Sequence, residues 1–215
     1  MDMVAVGILG GTFDPIHNGH LGLGRAVRRA LGLGKILFAP VGTPPHKPQR
    51  AITPSSHRLK MVQLAVAGDP FFEVSTVDLD RPPPHYSVDT VARLRAAHRL
   101  KAGECYFIIG ADSLADLPGW HAPDRLLQLC RLAVGHRPGY RPPMDTLIAR
   151  FPGLLRQITW VEMPGIPISA TAVRRQVSRQ EPFEHYVPPA VAAHIKANGL
   201  YRQKKRPDQM SGPVG

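Results

Sequence analysis

A glycine-rich segment directly after the first apolar run most constrains how this 215-residue chain can fold. Residues 3–9 are apolar and predict a buried strand, residues 10–12 are Gly-Gly-Thr, and residues 21–31 predict a helix. A strand, a glycine turn and a helix N-terminus together make an anion site, because backbone N–H groups and the positive end of the helix dipole converge there. The segment therefore predicts an α/β fold with a phosphate site behind its first strand.

Two imidazoles, His17 and His20, stand three residues apart at this predicted helix start. At helical spacing they share one face, so both can address the same phosphate. Gly19 between them leaves out a side chain where a ligand backbone would approach. The alternatives are a zinc site or a pair of core histidines, but the chain lacks H-E-x-x-H spacing, and core histidines do not usually flank a glycine at a helix start. We favour the phosphate site.

Strand-like and helical segments alternate along the chain, which is typical of a doubly wound, mainly parallel sheet of the Rossmann-like kind. The predicted strands are residues 4–9, 36–40, 71–77, 105–109, 132–135 and 158–162. The predicted helices are residues 21–31, 55–67, 87–100, 124–129, 144–150, 171–179 and 189–197. The last two follow one another without a strand between them. We expect one domain over residues 1–201, with a small helical C-terminal part from about residue 169, and a disordered basic tail over 202–215.

The net charge of +11 is compatible with three kinds of surface. Solvated arginine-rich helix faces, a nucleic-acid-binding face and a site for small anionic substrates would each produce it, and charge alone does not decide. Aromatic residues are not interleaved with the basic ones, so we do not expect a nucleic-acid partner. No apolar run reaches the roughly 20 residues that span a bilayer, and no secretory signal pattern is present. We expect a cytoplasmic protein with buried thiols at Cys105 and Cys130, and we leave homo-oligomerisation open.

Proline-rich loops and a tryptophan mark further candidate residues. Lys47 follows two prolines after the second strand, and it is either an exposed loop lysine or a phosphate clamp. Gly110 and Asp112 follow the fourth strand; the acid could hold a ribose or merely cap the next helix. Trp120 lies in a loop and is either a lid on the core or a stacking surface for a flat ring.

A second helix start with phosphate-binding character lies near the C-terminus. Ser169 is a natural N-cap, and Thr171 and Arg174 add a hydroxyl and a guanidinium to the first turn of the predicted helix. Capping alone would explain Ser169. Two such helix starts in one α/β chain, one of them with paired histidines, favour phosphate binding.

These segments together resemble the bacterial nicotinate-nucleotide adenylyltransferase family, and the resemblance covers nearly the whole chain. It rests on GGTFDPIHNGHL at 10–21, PVGTPPHK at 40–47, YSVDTV at 86–91, IIGADSLADLPGWH at 108–121, HRPG at 136–139, ISATAVRR at 168–175 and VPPAVAAHIKANGLY at 187–201. The first and sixth segments are shared by a wider nucleotidyltransferase superfamily. Ala170, where a second serine is usual, and the proline run at 82–84, where a glycine-containing loop is usual, depart from the family pattern.

The resemblance implies transfer of AMP from ATP to nicotinate mononucleotide, with Mg²⁺ carried on the triphosphate rather than held by protein ligands. It implies three sets of site residues. The catalytic set is His17, His20 and Arg174. The ATP-binding set is Gly11, Thr12, His17, His20, Gly110, Asp112, Ser169, Thr171 and Arg174. The mononucleotide-binding set is Lys47, Thr90, Trp120 and Arg137, with Thr90 on the nicotinate carboxylate and Trp120 stacked on the ring.

Two related activities are the nearest alternatives. The acceptor could be pantetheine phosphate or the amidated mononucleotide. Trp120 and the length of chain beyond the sheet argue against the pantetheine substrate. The preference for acid over amide depends on a few donors near Thr90 and Trp120, which the sequence does not place.

Overall fold

The structure, a computed structural model, describes residues 5–43, 52–136, 139–163 and 168–202. In these ranges six strands form one sheet: β1 (Val6–Gly11), β2 (Lys35–Pro40), β3 (Phe72–Val74), β4 (Cys105–Gly110), β5 (Arg131–His136) and β6 (Ile158–Glu162). The α-helices are α1 (Asn18–Leu31), α2 (Ser55–Val66), α3 (Ser87–Ala97), α4 (Ala111–Ala115), α5 (Pro123–Leu129), α6 (Met144–Arg150), α7 (Leu154–Gln157), α8 (Ala170–Ser178) and α9 (Pro189–Ala197).

All neighbouring strands are parallel, in the order β3-β2-β1-β4-β5-β6. The central strands are apolar over most of their length because helices cover both faces of the sheet and bury most of the side chains. The strand order reverses between β1 and β4. The prediction of a doubly wound parallel sheet is confirmed.

Two hydrophobic cores lie on opposite faces of the sheet. One contains buried residues of α1, α2, α8 and α9, and the other contains buried residues of α3 to α7. The C-terminal helices α8 and α9 therefore pack in the same core as α1 and α2, as the predicted helical C-terminal part requires. Among the described residues, no helix combines the length and apolar character needed to cross a bilayer.

The first strand continues further than the sequence predicts. Gly10 and Gly11, predicted as a turn, pair with Ala39 and Pro40 and are the last two residues of β1. A Cβ on Gly10 would approach the Phe107 ring to 3.3 Å, so packing rather than a turn favours glycine here. α1 begins at Asn18, three residues before the predicted start at residue 21.

Several smaller predictions also need correction. β3 ends at Val74 rather than at residue 77, the short helix expected after Asp112 begins before it, at Ala111, as α4, and α7 was not predicted. Cys130 is the C-cap of α5 and precedes β5, although it is buried as predicted. Of two glycines within α1, Gly24 is closely packed, since a Cβ there would lie 3.2 Å from the Phe72 ring, whereas Gly22 has open space around it.

Candidate active site

The carboxyl ends of β1 and β4 lie side by side where the strand order reverses. β1 ends at Gly11 and β4 ends at Gly110. In open parallel sheets this reversal opens a crevice in which ligands bind. α4 follows β4 directly, and α1 begins seven residues after β1. The topology thus brings the two predicted nucleotide-binding segments, 11–20 and 110–112, to one edge of the sheet.

The two histidines form a stacked pair at the start of α1. His17 is not inside the helix, as its spacing to His20 suggests, but is the extended N-cap residue, with φ −144° and ψ 169°. Its ring nevertheless stacks on that of His20, with centroids 3.7 Å apart and planes inclined by 22°. The backbone N–H of His17 donates to Nδ1 of His20 at 3.2 Å. Because Nδ1 accepts this bond, a neutral His20 ring carries its proton on Nε2.

Gly19 makes room for the ring of His17. A Cβ at position 19 would lie 3.1 Å from Nδ1 and Cε1 of that ring and 4.0 Å from Ile168. The sequence interpretation assigned this space to a ligand backbone, whereas in the structure a catalytic candidate occupies it. His17 is 4% exposed and His20 is partly exposed, so His20 is the more accessible ring.

The turn between β1 and α1 has a strained backbone. Phe13 has φ +48°, a left-handed conformation that a bulky side chain rarely adopts. Its ring is buried and meets the edge of His20, with centroids 5.1 Å apart. The next residue, Asp14, is also buried, and its Oδ1 accepts a hydrogen bond from the Tyr201 hydroxyl at 2.8 Å. Sequence reasoning named neither Phe13 nor Asp14 as a functional residue.

α8 presents its first turn to this same turn. Ser169 is its N-cap, and the Ser169 hydroxyl accepts the Ala172 backbone N–H at 3.1 Å, as the capping interpretation predicts. The Arg174 guanidinium donates to the carbonyl oxygen of Asp14 and, at 2.9 Å, to Oγ1 of Thr171. The structure therefore brings the second predicted phosphate-binding segment against the first.

Behind β4, the carboxylate of Asp112 lies over the backbone of Gly110. A Cβ on Gly110 would collide with Oδ1 of Asp112, so glycine is required for this contact. Gly110 itself is the N-cap of α4, and Asp112 lies within the first turn, so the interpretation of Asp112 as the capping residue is wrong. The Asp112 side chain is exposed at the crevice edge, where a ribose could meet it.

Trp120 combines the two roles that the sequence left open. Its indole packs on the core, edge-on to the Phe107 ring of β4 with centroids 6.1 Å apart. It is only partly buried. Nearby, Tyr86 stacks on His121 with centroids 4.0 Å apart, which adds a second pair of flat rings to this face.

Thr90 is buried and bonded within the protein. Its hydroxyl lies 2.7 and 2.9 Å from the two carboxylate oxygens of Asp78 and 3.1 Å from the carbonyl oxygen of Tyr86. Asp78 also forms a 2.8 Å ion pair with Arg81. Thr90 can meet a substrate carboxylate only by exchanging Asp78 for it. The other predicted mononucleotide ligands, Lys47 and Arg137, lie outside the described residues.

Sequence reasoning also missed Arg58, which is buried behind the β1 turn. A signal was present: Arg58 occupies the first position of the apolar face of α2, in line with Met61, Val62 and Val66. A charged residue at such a position requires polar partners in the core. Burial lowers the pKa of Arg58, and the negative charge of Asp14 opposes that shift.

Comparison with known proteins shows the family and the fold of the chain. Residues 8–176 match the family model described as cytidylyltransferase-like, which places the chain among the nucleotidyltransferases. A Thermomicrobium roseum protein is 44% identical over 200 residues, covering 93% of this chain and 92% of that protein. A protein of Roseiflexus sp. (strain RS-1) is 44% identical over 202 residues, covering 94% and 100%. Both bear the name probable nicotinate-nucleotide adenylyltransferase.

The chain belongs to the nicotinate-nucleotide adenylyltransferase family, and it is an enzyme of the nucleotidyltransferase class. Solved structures share its fold. The Plasmodium falciparum nicotinic acid mononucleotide adenylyltransferase complexed with APC superposes with a TM-score of 0.71 at 17% identity, covering 92% of this chain and 97% of that one. The same Plasmodium enzyme complexed with NaAD gives a TM-score of 0.71 at 18% identity, with coverage of 91% and 96%.

Proposed function

We propose that this chain transfers the adenylyl group of ATP to nicotinate mononucleotide, forming nicotinate adenine dinucleotide and pyrophosphate, a step of NAD biosynthesis. Membership of the nicotinate-nucleotide adenylyltransferase family supports the reaction. The observation that carries it in this molecule is the stacked His17–His20 pair at the N-terminus of α1, in the crevice where the sheet reverses.

The reaction needs no nucleophile from the protein. A phosphate oxygen of the mononucleotide attacks the α-phosphorus of ATP, a new P–O bond forms, and the bond to the β-phosphate oxygen breaks with its electron pair leaving on pyrophosphate. The enzyme must align the attacking and leaving oxygens and offset their charge. Imidazole, guanidinium and backbone N–H donors meet that requirement.

The β1 side of the crevice would bind ATP. Nε2 of His20 is the donor of the neutral ring and would reach the phosphates, with His17 behind it. The remaining proposed ATP ligands are Gly11 and Thr12 through their backbone, Gly110 and Asp112 at the ribose, and Ser169, Thr171 and Arg174 at the triphosphate. The contact of Arg174 with the carbonyl oxygen of Asp14 supports its placement in this set.

The face of the sheet that carries Trp120 would bind the mononucleotide. We propose that Trp120 stacks on the pyridine ring, that Lys47 holds the phosphate, and that Thr90 and Arg137 contact the nicotinate end. For Thr90 this requires that the substrate carboxylate replace Asp78 at its hydroxyl. The partly exposed indole is the structural feature that supports a stacking role.

We propose that Mg²⁺ enters with ATP rather than binding to resident protein ligands. Within the described ranges, no three histidine, cysteine, aspartate or glutamate side chains are grouped so that they could hold a metal ion. Triphosphate oxygens are ligands that Mg²⁺ prefers. When bound, the ion would neutralise charge on the leaving pyrophosphate, while His20 and Arg174 would contact phosphate oxygens of their own.

The test is pyrophosphate release by the wild-type protein and by His20→Ala, with ATP, Mg²⁺ and nicotinate mononucleotide. Loss of a donor to the transition state predicts a fall in kcat of about 10²- to 10³-fold. His98→Ala, at the C-terminal end of α3, is the matched control and should keep kcat within about twofold of the wild-type value.

A parallel assay with the amidated mononucleotide shows which of the two mononucleotides is the preferred acceptor substrate. We expect the acid to be preferred. If the amide were preferred, the adenylyl-transfer mechanism would stand but the substrate would be wrong, and no release with either acceptor would contradict the proposed function.

A further inference from the structure

Arg58 is a charged side chain enclosed in the protein core. It is 1% exposed and lies on the apolar face of α2. Enclosing a guanidinium requires that its donors be bonded, because an unpaired buried charge is strongly destabilising. The partners that Arg58 uses are informative, since among the described residues its guanidinium donates only to carbonyl oxygens outside α2.

The Arg58 guanidinium bonds to carbonyl oxygens of three separate segments. Nη1 donates to Thr12 at 2.8 Å and to Val41 at 2.6 Å. Nη2 donates to Gly42 at 2.6 Å, and Nε donates to Thr53 at 2.9 Å. Thr12 follows β1 on the proposed ATP side, while Val41 and Gly42 follow β2, a few residues before Lys47 in the sequence. One side chain therefore joins the segments behind two adjacent strands.

Asp14 supplies the opposite charge and a second set of bonds. It is 5% exposed, and its carboxylate accepts the Tyr201 hydroxyl at 2.8 Å and the Thr53 backbone N–H at 3.5 Å. Its charge and that of Arg58 act on each other through the core. We call Arg58, Asp14, Thr53 and Tyr201 the buried brace.

The buried brace holds the strained turn from both ends. Phe13, with φ +48°, lies between Thr12, bonded to Arg58, and Asp14, bonded to Tyr201. Such a conformation persists only when its surroundings fix it, and it is found most often at functional sites. Because the C=O and N–H of a trans peptide point in opposite directions, a Thr12 carbonyl directed at Arg58 turns the Phe13 N–H away from the core.

The same geometry acts on the segment behind β2. The carbonyls of Val41 and Gly42 point inward to Arg58, so the N–H groups of Gly42 and Thr43 point away from it. The Thr43 N–H donates to Nδ1 of the buried His85 at 3.0 Å. Arg58 thus sets the orientation of peptide groups on both sides.

We infer that Arg58 is a positioning residue that fixes the ATP-side turn and the acceptor-side segment at one separation. This inference rests on the proposed function, because it assigns the two segments to the two substrates. If packing were the only requirement, an apolar side chain of similar volume would serve at least as well as a buried ion. The planar fork of arginine is suited to several carbonyls at once, and an ammonium is not.

The test is steady-state kinetics of Arg58→Lys, together with its melting temperature. Lysine keeps the charge, but its single nitrogen has three N–H donors for the four carbonyl oxygens that the three nitrogens of Arg58 bond. We expect kcat/KM to fall about 10- to 100-fold for both substrates, because small misplacements of reacting groups cost that much. Arg95→Lys is the matched control. The Arg95 Nε–H donates to the Leu100 carbonyl oxygen at 3.0 Å, at the other end of the sheet. Loss of this hydrogen bond should leave both KM values within about twofold of the wild-type values.

Tyr201→Phe is the second variant, and it removes only one hydroxyl from the buried brace. It should fold, and we expect kcat to fall about 3- to 10-fold. If Arg58→Lys melts below the assay temperature, Tyr201→Phe decides the question. Folded variants with kcat and both KM values unchanged, or an Arg95→Lys variant equally impaired, would overturn the inference. An inactive wild-type protein would instead contradict the proposed function.

Discussion

The position of two imidazole rings depends on one glycine. His17 and His20 stack at 3.7 Å, and Gly19 has no side chain where the His17 ring lies. A methyl group at position 19 would lie 3.1 Å from that ring, closer than ordinary van der Waals contact. The ring would have to move by a few tenths of an ångström, and the stack would move with it.

Gly19→Ala should therefore lower kcat more than it lowers stability. We expect kcat to fall about tenfold, because the rings are displaced from the phosphates. The free energy of unfolding should change by less than about 1 kcal/mol, since the better helix propensity of alanine offsets the crowding. Steady-state rates and denaturant unfolding measure the two quantities.

Gly22→Ala, in the same helix, is the control for that comparison. An added Cβ meets nothing within 4 Å at position 22. The substitution should raise the free energy of unfolding by about 0.5–1 kcal/mol and leave kcat unchanged. If Gly19→Ala kept full activity, the packing role that we assign to Gly19 would be wrong.

Residue types at the site were predictable, whereas their placement was not. Glycine, imidazole and helix-start chemistry alone predict phosphate binding at residues 10–21. The N-cap position of His17 was not predictable, because histidine is not a preferred N-cap and the strained turn shifts the helix start. Arg58 could have been found from its position on an apolar helix face, but its bonds to three segments could not.

At the scale of elements, a histidine pair joins α2 to α9. Nδ1 of His57 and Nε2 of His194 lie 3.1 Å apart, and Nδ2 of Asn198 lies 3.3 Å from Nδ1 of His194. Burial lowers the pKa of His194, and the nearby positive charges of His57 and Lys60 lower it further. Protonation of His194 therefore opposes the docking of α9.

The free energy of unfolding should accordingly fall as the pH falls through the range in which His194 becomes protonated. Below the ordinary histidine pKa of about 6.5, the unfolded chain binds more protons at this residue than the folded protein does. The free energy of unfolding then rises with pH, and the stability that depends on neutral His194 is lost as the pH falls through about 6.5 toward the lowered pKa of His194 in the folded protein. Denaturant unfolding at a series of pH values should show that the free energy of unfolding changes less with pH for His194→Gln than for the wild-type protein.

His98→Gln, on α3 at the opposite face of the sheet, serves as the control for that slope. Glu184 does not change its charge in the pH range of this experiment, because the hydrogen bond from Lys196 lowers the pKa of Glu184 to about 2. If His98→Gln flattened the slope as much as His194→Gln, the assignment to the α2–α9 contact would fail.

The bounds of elements were predicted best where the sequence marks a clear start or stop. The helices of α6 and α9 and the strand β6 have the predicted bounds, because each has a clear apolar pattern and a clear start or stop. α4 and α7, with five and four residues, are too short to show a period. β3 ends where its pairing with β2 ends, which depends on a neighbour that the local sequence does not reveal.

At the scale of the whole molecule, the site is made by contacts that are distant in sequence. The alternation of strands and helices predicts a parallel sheet and places ligands at its carboxyl edge. It does not state that β1 lies between β2 and β4, or that Tyr201 bonds to Asp14, which is 187 residues away. The buried brace therefore depends on Tyr201, at the end of the described part of the chain. Tyr201 packs against the core that also contains residues of α1, α2, α8 and α9.

The predicted domain boundary at residue 201 can be tested on this basis. A chain ending at Arg202 keeps Tyr201 and removes most of the predicted basic tail. We expect it to retain kcat within about twofold and nearly the same melting temperature. A chain ending at Leu200 loses the hydrogen bond from Tyr201 to Asp14. It also loses the contact of the Tyr201 ring with the core that contains residues of α1, α2, α8 and α9.

For the chain ending at Leu200 we expect a loss of about 1–3 kcal/mol in the free energy of unfolding and a fall in kcat of about tenfold. The fall in kcat should resemble that of Tyr201→Phe, because both changes remove the same donor from Asp14. A loss of kcat that exceeds the loss of folded protein would support a coupling of Tyr201 to the two histidines through Asp14 and the strained turn. Equal activity of the two truncated chains would show that Tyr201 only packs, and a destabilised chain ending at Arg202 would move the domain boundary into the tail.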